Sequence, residues 1–394
     1  MIVKPKIRGF ICTTAHPAGC EANVRLQGAY VQEQGAAAGP KRVMVIGAST
    51  GYGLACRLTA ALGCGADTVG VFFERPAAGN RTATAGWYNN LAFEKLAAEN
   101  GRAAYSINGD AFSGEVKAQA VEAVRRLPGG QVDLVIYSLA APRRTDATTG
   151  QVYNSVIKPM GAPFSGKTLD VNTGVVSWAE VEPATEQEAA DTVKVMGGED
   201  WLLWMRELKD AGVLAEGACS VAFSYIGPSQ THAIYKDGTI GRAKVDLENK
   251  ARQIDALLAG LGGKAYVSVN KALITQASSA IPVVPLYMSL LFKRMKEQGT
   301  HEDCIQQMVR MFRRIYPDGT PGNWGAVPVD EDGRIRMDDW EMRPEIQRQI
   351  ELDWDAVSTD TINQRGDLEG YRADFARLFG FGLDGVDYDA DVEV

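Results

Sequence analysis

The chain has 394 residues, of which 45% are hydrophobic and 23% are charged. Its 41 Lys and Arg residues are outnumbered by 49 Asp and Glu residues, so the formal net charge is −8. This balance is ordinary for a globular protein, and the lack of a basic block argues against nucleic-acid binding. No stretch reaches the ~18 apolar residues of a membrane span, and the N-terminal region lacks the apolar run of a signal peptide.

The cysteines are scattered along the chain, and no two have the Cys-x-x-Cys spacing of a metal or redox motif. They are Cys12, Cys20, Cys56, Cys64, Cys219 and Cys304. Because disulfides are rare in reducing compartments, this pattern predicts free thiols in a cytoplasmic protein.

Residues 42–137 alternate between short apolar runs and amphipathic segments. The runs predict strands at 42–47, 67–74, 103–109 and 132–140, and the segments between them predict helices at 54–62, 87–101 and 115–127. Strands joined by helices form right-handed crossovers and a parallel sheet. The fold class predicted is therefore α/β, an enlarged Rossmann-type doubly wound sheet.

The alternation stops at about 141–200, where an insertion with a β-hairpin around Asn172–Gly174 is predicted. It resumes with a strand at 219–227, a helix from about Thr239 to Leu261 and a strand at 265–270. We therefore expect one domain spanning 1–394. Amphipathic helices are predicted at 283–297 and 302–316, and the acidic tail from Phe381 is expected to be solvated.

The first predicted strand runs into GASTGYG, which places Gly47, Gly51 and Gly53 before a helix. Glycines let the backbone approach a phosphate closely, and a helix N-terminus offers free N–H groups and a positive dipole end. Because the motif sits between a strand and a helix, it indicates a dinucleotide site. The simpler alternative is a tight strand-to-helix turn.

The second predicted strand ends in an acidic side chain, Glu74, 21 residues beyond Gly53. A carboxylate there accepts hydrogen bonds from the adenosine ribose and disfavours a 2′-phosphate, so NADH is predicted over NADPH. Arg75 could serve a 2′-phosphate instead, and Glu74 could simply be solvated. The next strand ends offer further cofactor contacts: Asp110, Ala111, Ser138, Leu139 and Ala140.

Two tyrosines and a lysine follow the strand at 219–227, namely Tyr225, Tyr235 and Lys244. Nine helical steps put Tyr235 and Lys244 on opposite sides of a continuous helix, but Gly238 can break the helix between them. A phenol can donate to a developing oxyanion, and a nearby ammonium would lower its pKa and could hold the nicotinamide ribose. The alternative is two core aromatics and a solvated lysine.

Many segments resemble the FabV-type enoyl-acyl-carrier-protein reductases and the bacterial trans-2-enoyl-CoA reductases, which share one sequence pattern. The resemblance covers essentially the whole chain. It includes MIVKPKIRGFIC, GASTGYGLA, FFERP, YSLAAPRRT, VMGGEDW, SVNKALITQASSAIPVVPLYMSLLFK and FGLDGVDYDADV. The Tyr-x8-Lys spacing is its most specific feature.

The resemblance implies a monomeric NADH-dependent enzyme that reduces the C2=C3 bond of trans-2-enoyl thioesters in fatty acid biosynthesis. Tyr235 would donate the proton, Lys244 would contact the cofactor and Tyr225 the substrate. The expected cofactor contacts are Gly47, Ala48, Ser49, Thr50, Gly51, Tyr52, Gly53, Phe73, Glu74, Asp110, Ala111, Ser138, Leu139, Ala140, Lys244, Leu273, Ile274 and Thr275. Whether the thioester carrier is CoA or acyl-carrier protein stays open.

The helix after Ile281–Pro282 resembles a substrate lid, at about 276–300. Its residues Leu286, Leu290 and Leu291 either line the acyl channel or pack in the core. Other activities have weaker support. A metal site at His301, Glu302 and Cys304 has no second ligand cluster, and His301–Glu302 more plausibly begins a helix. A serine hydrolase would need a Gly-x-Ser-x-Gly elbow. A carbonyl or alcohol dehydrogenase and a non-catalytic NADH sensor remain as alternatives.

Overall fold

A seven-stranded parallel sheet forms the centre of the protein, as predicted. The computed structural model describes residues 1–8, 11–276, 278–317, 319 and 322–394. The strands are Ile7–Arg8 (β1), Ile11–Cys12 (β2), Arg42–Ile46 (β3), Asp67–Phe72 (β4), Ala104–Asn108 (β5), Val132–Tyr137 (β6), Arg143–Thr145 (β7), Val152–Asn154 (β8), Phe164–Asp170 (β9), Val175–Val181 (β10), Leu214–Ser224 (β11), Lys264–Val269 (β12) and Ile335–Arg336 (β13). The sheet order is β13-β12-β11-β6-β3-β4-β5.

The described α-helices include those that pack on the two faces of this sheet. They are Pro17–Glu33 (α1), Gly51–Leu58 (α2), Ala85–Glu99 (α3), Gly114–Arg125 (α4), Glu186–Met196 (α5), Glu199–Asp210 (α6), Ser229–His232 (α7), Thr239–Leu258 (α8), Val284–Glu297 (α9), Cys304–Ile315 (α10), Pro344–Ala356 (α11), Ile362–Arg365 (α12) and Leu368–Arg377 (α13). Strand β3 shows that apolar side chains point to both faces of the sheet, so that each face needs a layer of helices. Val43 and Val45 join the core of α1, α2, α3 and α10, whereas Met44 and Ile46 join that of α4, α6 and α8.

The inserted hairpin is confirmed, since β9 and β10 pair antiparallel from Phe164↔Val181 to Asp170↔Val175. The Asp170 carboxylate accepts from the backbone N–H of Asn172, and Gly174 adopts a left-handed conformation with φ of 77°. A second, short pair, β7 with β8, precedes it and was missed. The strand predicted at 219–227 begins earlier, at Leu214, with a register irregularity before Cys219.

The acidic tail was expected to be solvated, and this was wrong for its aromatic residues. Phe381 is buried, and the Tyr388 ring packs edge-on against His16 with centroids 4.9 Å apart. The Tyr388 hydroxyl also accepts from the Leu383 N–H and donates to the Gly380 carbonyl. The packing of these two aromatic side chains therefore holds the segment against the start of α1, although the segment is rich in acidic residues.

A buried arginine ties α2 to the neighbouring strands. Arg57 donates to Thr68 Oγ1 at 3.1 Å, Asn90 Oδ1 at 2.8 Å and the Tyr105 carbonyl at 2.8 Å. Its guanidinium also lies 4.3 Å from the centre of the Phe93 ring. These acceptors are neutral, so burial lowers the pKa of Arg57 to about 9. Since β4 leads into Glu74, this contact helps to fix the sheet edge that carries the site.

Gly70 faces that guanidinium, and a Cβ at Gly70 would lie 2.5 Å from Arg57 Nη1. Because Arg57 is held by three hydrogen bonds, we expect Gly70→Ala to lower the free energy of unfolding by about 1–3 kcal/mol through overpacking. Urea denaturation measures the effect. Gly114→Ala is the control, since a Cβ there meets no atom within 4 Å. Equal stabilities of the two variants would contradict the prediction.

Candidate active site

The glycine loop sits where β3 meets α2, and its glycines are required by space. Gly47 adopts φ of 88°, and a Cβ there would overlap the Ser138 carbonyl. A Cβ at Gly53 would overlap the Gly47 carbonyl oxygen. Thr50 is the N-cap of α2 but makes no side-chain cap hydrogen bond, so the first N–H groups of α2 are left for an anionic group.

Glu74 lies at the edge of this loop, two residues after β4 ends at Phe72 rather than within the strand. Its carboxylate accepts from Ser49 Oγ at 2.7 Å, and its backbone N–H donates to Asn108 Oδ1 at 2.8 Å. The side chain is partly exposed, while the neighbouring Phe73 ring is largely open to solvent. The contact to Asn108 was missed, because a single amide at a strand end carries no distinctive pattern.

A cavity of about 230 Å³ brings the predicted catalytic residues together. Tyr225, Tyr235 and Lys244 all line it, so the three side chains singled out in the sequence share one cavity. The predicted cofactor residues that share this lining are Tyr52, Ser138, Leu139, Ala140, Leu273 and Thr275. The cavity therefore opens along the carboxyl ends of β6 and β11, where open α/β sheets bind ligands.

The two tyrosines meet edge to face, with ring centroids 5.0 Å apart. Tyr235 lies in the turns before α8, and Gly238 is the N-cap of that helix, so the predicted break between Tyr235 and Lys244 is confirmed. The pKa of the Tyr235 phenol is raised above its ordinary value, and the cause is its burial. The expected lowering of this pKa by Lys244 was therefore wrong, because desolvation dominates the shift.

Lys244 belongs to the second turn of α8 and faces the cavity. Its ammonium donates to the Phe223 carbonyl at 3.0 Å. Burial lowers the pKa of Lys244 to about 8, against a smaller opposing effect from Glu248. The group stays mainly charged at pH 7, and no carboxylate of the described residues forms a hydrogen bond with it, so its charge is available to a ligand in the cavity.

Below the cavity lies a buried carboxylate that sequence reasoning missed. Glu341 is fully buried and accepts from the Tyr225 hydroxyl at 3.1 Å and the Tyr287 hydroxyl at 2.6 Å. Its other oxygen accepts from the Ala272 N–H at 2.7 Å. Burial raises the pKa of Glu341 to about 7, although Lys271 and these donors oppose the shift. A lone glutamate 116 residues from Tyr225 leaves no signal in one sequence.

A second cavity, of about 390 Å³, adjoins the glycine loop on the side of α1, α10 and α13. Of the predicted cofactor residues, Thr50, Gly51, Leu273, Ile274 and Thr275 line it. Leu273 and Thr275 also line the first cavity, so the segment after β12 separates the two.

The predicted lid helix, α9, contributes to the core more than to the cavity. Leu286, Leu290 and Leu291 are fully buried in the core and do not line this cavity, so the structure favours core packing, the second of the two alternatives weighed for them. Val284 and Met288 line the cavity instead. Ala277, within the predicted lid range, lies outside the described residues.

The structure groups a different set of potential cation ligands from the one considered in the sequence, which was His301, Glu302 and Cys304. His301, Asp303 and Asp374 bring one ligand atom each within 4.8 Å of one another. Glu302 instead pairs with Arg310 at 2.6 Å. Helix α10 begins at Cys304, with Asp303 as its N-cap, so the helix start predicted at His301–Glu302 was early.

Three family models match the chain, and all three describe enoyl reductases. Residues 81–316 match the catalytic region of trans-2-enoyl-CoA reductase. Residues 2–79 match the NAD(P)H binding domain of that enzyme, and residues 329–392 match an enoyl reductase FAD binding domain. The chain belongs to the trans-2-enoyl-CoA reductase family. The resemblance stated from the sequence motifs is thereby confirmed.

Relatives of this family match along the whole chain. An enoyl-acyl-carrier-protein reductase (NADH) from Opitutus terrae is 56% identical, with 100% of this chain and 98% of that protein covered. A trans-2-enoyl-CoA reductase (NADH) from Ruminiclostridium cellulolyticum is 54% identical, with the same coverage. The structure of Treponema denticola trans-2-enoyl-CoA reductase in complex with NAD superposes with a TM-score of 0.93 at 46% identity, covering 100% of this chain and 98% of that one.

The stretch that matches the flavin-binding description is part of the same fold. It supplies β13 to the central sheet, α11 and α13 to the core around α9, and Glu341 below the cavity. It contributes no lining residue to the smaller cavity and three to the larger one, namely Asp374, Arg377 and Leu378. Three residues on one side of one cavity cannot enclose a flavin ring, so this stretch does not by itself form a flavin site.

None of the described helices combines the length and the apolar character that crossing a bilayer would require. All six cysteines are free, as predicted.

Proposed function

We propose that this protein is an NADH-dependent reductase that saturates the C2=C3 bond of trans-2-enoyl thioesters. The observation that carries the proposal is the 230 Å³ cavity, which joins Tyr235 and Lys244 to the strand ends beside the glycine loop. The names of the two relatives, one acting on acyl-carrier-protein thioesters and one on CoA thioesters, support this reaction class. We expect a monomeric, cytoplasmic, single-domain enzyme.

The chemistry requires a donor at the thioester oxygen. Hydride delivered to C3 leaves negative charge on that oxygen as an enolate, and a preorganised donor stabilises it. Tyr235 suits this role because burial keeps its phenol protonated. It can then give up its proton as C2 is protonated. Lys244, with its charge unpaired by a carboxylate, would hold the nicotinamide ribose and stabilise the developing phenolate.

The cofactor would lie along the carboxyl edge of the sheet. The N–H groups at the start of α2 would hold the diphosphate, and Glu74 would accept from the adenosine ribose. The NADH bound in a Clostridium trans-2-enoyl-CoA reductase, which superposes with a TM-score of 0.94 at 42% identity, supports this cofactor. The other cofactor contacts predicted from the sequence stay part of the proposal.

A direct assay tests the reaction class. We expect one NADH oxidised for each crotonyl-CoA reduced, and no oxidation with butyryl-CoA, which lacks the double bond. A carbonyl or alcohol dehydrogenase, or a sensor that only binds NADH, would show no crotonyl-CoA turnover. Steady-state rates on crotonyl-CoA, dodecenoyl-CoA and an enoyl-acyl-carrier protein then identify the carrier and the chain-length preference.

Conservative variants test the roles of the three cavity residues. Tyr235→Phe removes one hydroxyl, so kcat should fall by about 10²–10³ while NADH binding, measured by fluorescence, is retained. Lys244→Ala should weaken NADH binding as well as kcat, because its role is shared. Tyr225→Phe should mainly impair the reaction with the acyl substrate. Near-normal turnover of Tyr235→Phe would make Tyr225 the better candidate for the donor.

Cofactor preference tests Glu74. We expect kcat/KM to be higher with NADH than with NADPH, since the Glu74 carboxylate would repel a 2′-phosphate. Glu74→Gln keeps an acceptor for Ser49 Oγ but removes the charge, so the NADH-to-NADPH ratio should narrow by about tenfold, or ~1.4 kcal/mol. A wild-type preference for NADPH would show that Arg75, not Glu74, governs the choice.

A further inference from the structure

We propose that Glu341 is a positioning residue that directs the Tyr225 hydroxyl away from the cavity, so that Tyr225 accepts hydrogen bonds from the substrate side and Tyr235 alone donates. The inference rests on the proposed function, because it assigns different hydrogen-bonding roles in that reaction to the two phenols of the cavity.

The position of Glu341 determines the direction in which the Tyr225 hydroxyl donates its hydrogen bond. An ionised carboxylate only accepts hydrogen bonds, so the O–H of Tyr225 must point at Glu341, 3.1 Å away. The lone pairs of the same oxygen are then left for the cavity that Tyr225 lines. Tyr235, whose ring meets Tyr225 edge to face, has no side-chain acceptor of this kind among its described hydrogen bonds.

Glu341 itself is held rigidly by donors from two further elements. Tyr287 of α9 donates to Glu341 at 2.6 Å, and its hydroxyl accepts from Gln347 Nε2 at 3.1 Å. The Ala272 N–H, in the segment that lines both cavities, donates to the second carboxylate oxygen. A buried carboxylate with three donors keeps one position, so the direction of the Tyr225 hydroxyl is fixed before any ligand binds.

Protonation of Glu341 would reverse this arrangement. The titratable groups around it are Tyr225 and Tyr287, which donate to it, and Tyr52, Lys271 and Asp338, which interact with it electrostatically. Burial raises the pKa of Glu341 to about 7, with Lys271 opposing and Asp338 adding to the shift. Below this pH the neutral acid donates its own proton to the Tyr225 oxygen, because the Tyr287 oxygen already accepts from Gln347. The Tyr225 proton is then released toward the cavity, where it competes with the Tyr235 donor.

The reaction should therefore lose efficiency as the pH falls through about 7. We expect kcat/KM for crotonyl-CoA to show an acid limb there, because ionised Glu341 is the competent form. Glu341→Gln keeps the shape of the side chain but does not titrate. Its kcat/KM should be lower by about tenfold at pH 8, the acid limb should vanish, and NADH affinity should change less than twofold.

A second background shows whether the effect passes through Tyr225. Glu341→Gln in a Tyr225→Phe background should cause no further loss of kcat/KM, since the hydroxyl that Glu341 directs is gone. Tyr225→Phe alone should also lack the acid limb, which keeps the inference testable if Glu341→Gln does not fold.

Asp353→Asn is the matched control for neutralising a buried carboxylate. Asp353 is fully buried in α11, pairs with Arg294 at 2.6 Å and Arg365 at 3.1 Å, and lines neither cavity. This variant should lower Tm yet keep the kcat/KM and the acid limb of the wild type.

The outcomes separate the two proposals. Wild-type protein that does not oxidise NADH with crotonyl-CoA would overturn the proposed function itself. An active wild type whose acid limb persists in Glu341→Gln, or a Glu341→Gln effect undiminished in the Tyr225→Phe background, would overturn only the role of Glu341. An acid limb lost equally in Asp353→Asn would show a general effect of stability.

Discussion

The close approach of α2 to the end of β3 is the constraint on which the site depends. No side chain fits at Gly47 or Gly53, because the Ser138 and Gly47 carbonyls occupy the space. With the backbone packed this tightly, the open N-terminus of α2 faces the edge of the sheet where β6 and β11 also end. The glycine loop and the cavity lined by Tyr235 and Lys244 are therefore neighbours because of backbone packing.

Burial then sets the chemical character of the side chains in that cavity. Desolvation raises the pKa of Tyr235 and lowers that of Lys244 to about 8, and it raises the pKa of Glu341 to about 7. Each shift favours the neutral form of the group. The phenol therefore remains a proton donor, while the lysine and the glutamate both titrate near neutral pH. The cavity therefore combines a neutral phenol with a lysine that is mainly charged at pH 7, and the lysine's charge can stabilise the negative charge that appears as hydride arrives.

One sheet unites three stretches that match separate family models. Strands β3 and β4 lie within residues 2–79, β5, β6, β11 and β12 within 81–316, and β13 within 329–392. The last stretch also brings Glu341 beneath Tyr225 and buries α9 between α11 and α13. This stretch therefore contributes to the site through packing and through one carboxylate, Glu341.

The sequence by itself determined the parallel sheet, the inserted hairpin and the cofactor loop, because each depends on local pattern. The hydrophobic periodicity, the turn residues and the spacing of the glycines each involve residues that are close together in the chain. They can therefore be recognised in a single sequence. The break at Gly238, which frees Tyr235 from the helix of Lys244, is of this kind. Only the tertiary structure decided that Leu286, Leu290 and Leu291 pack in the core, that Phe381 and Tyr388 anchor the tail, and that Glu341 holds Tyr225. These outcomes depend on contacts between residues far apart in the chain, and on burial, which changes a pKa without leaving any mark on the residue type.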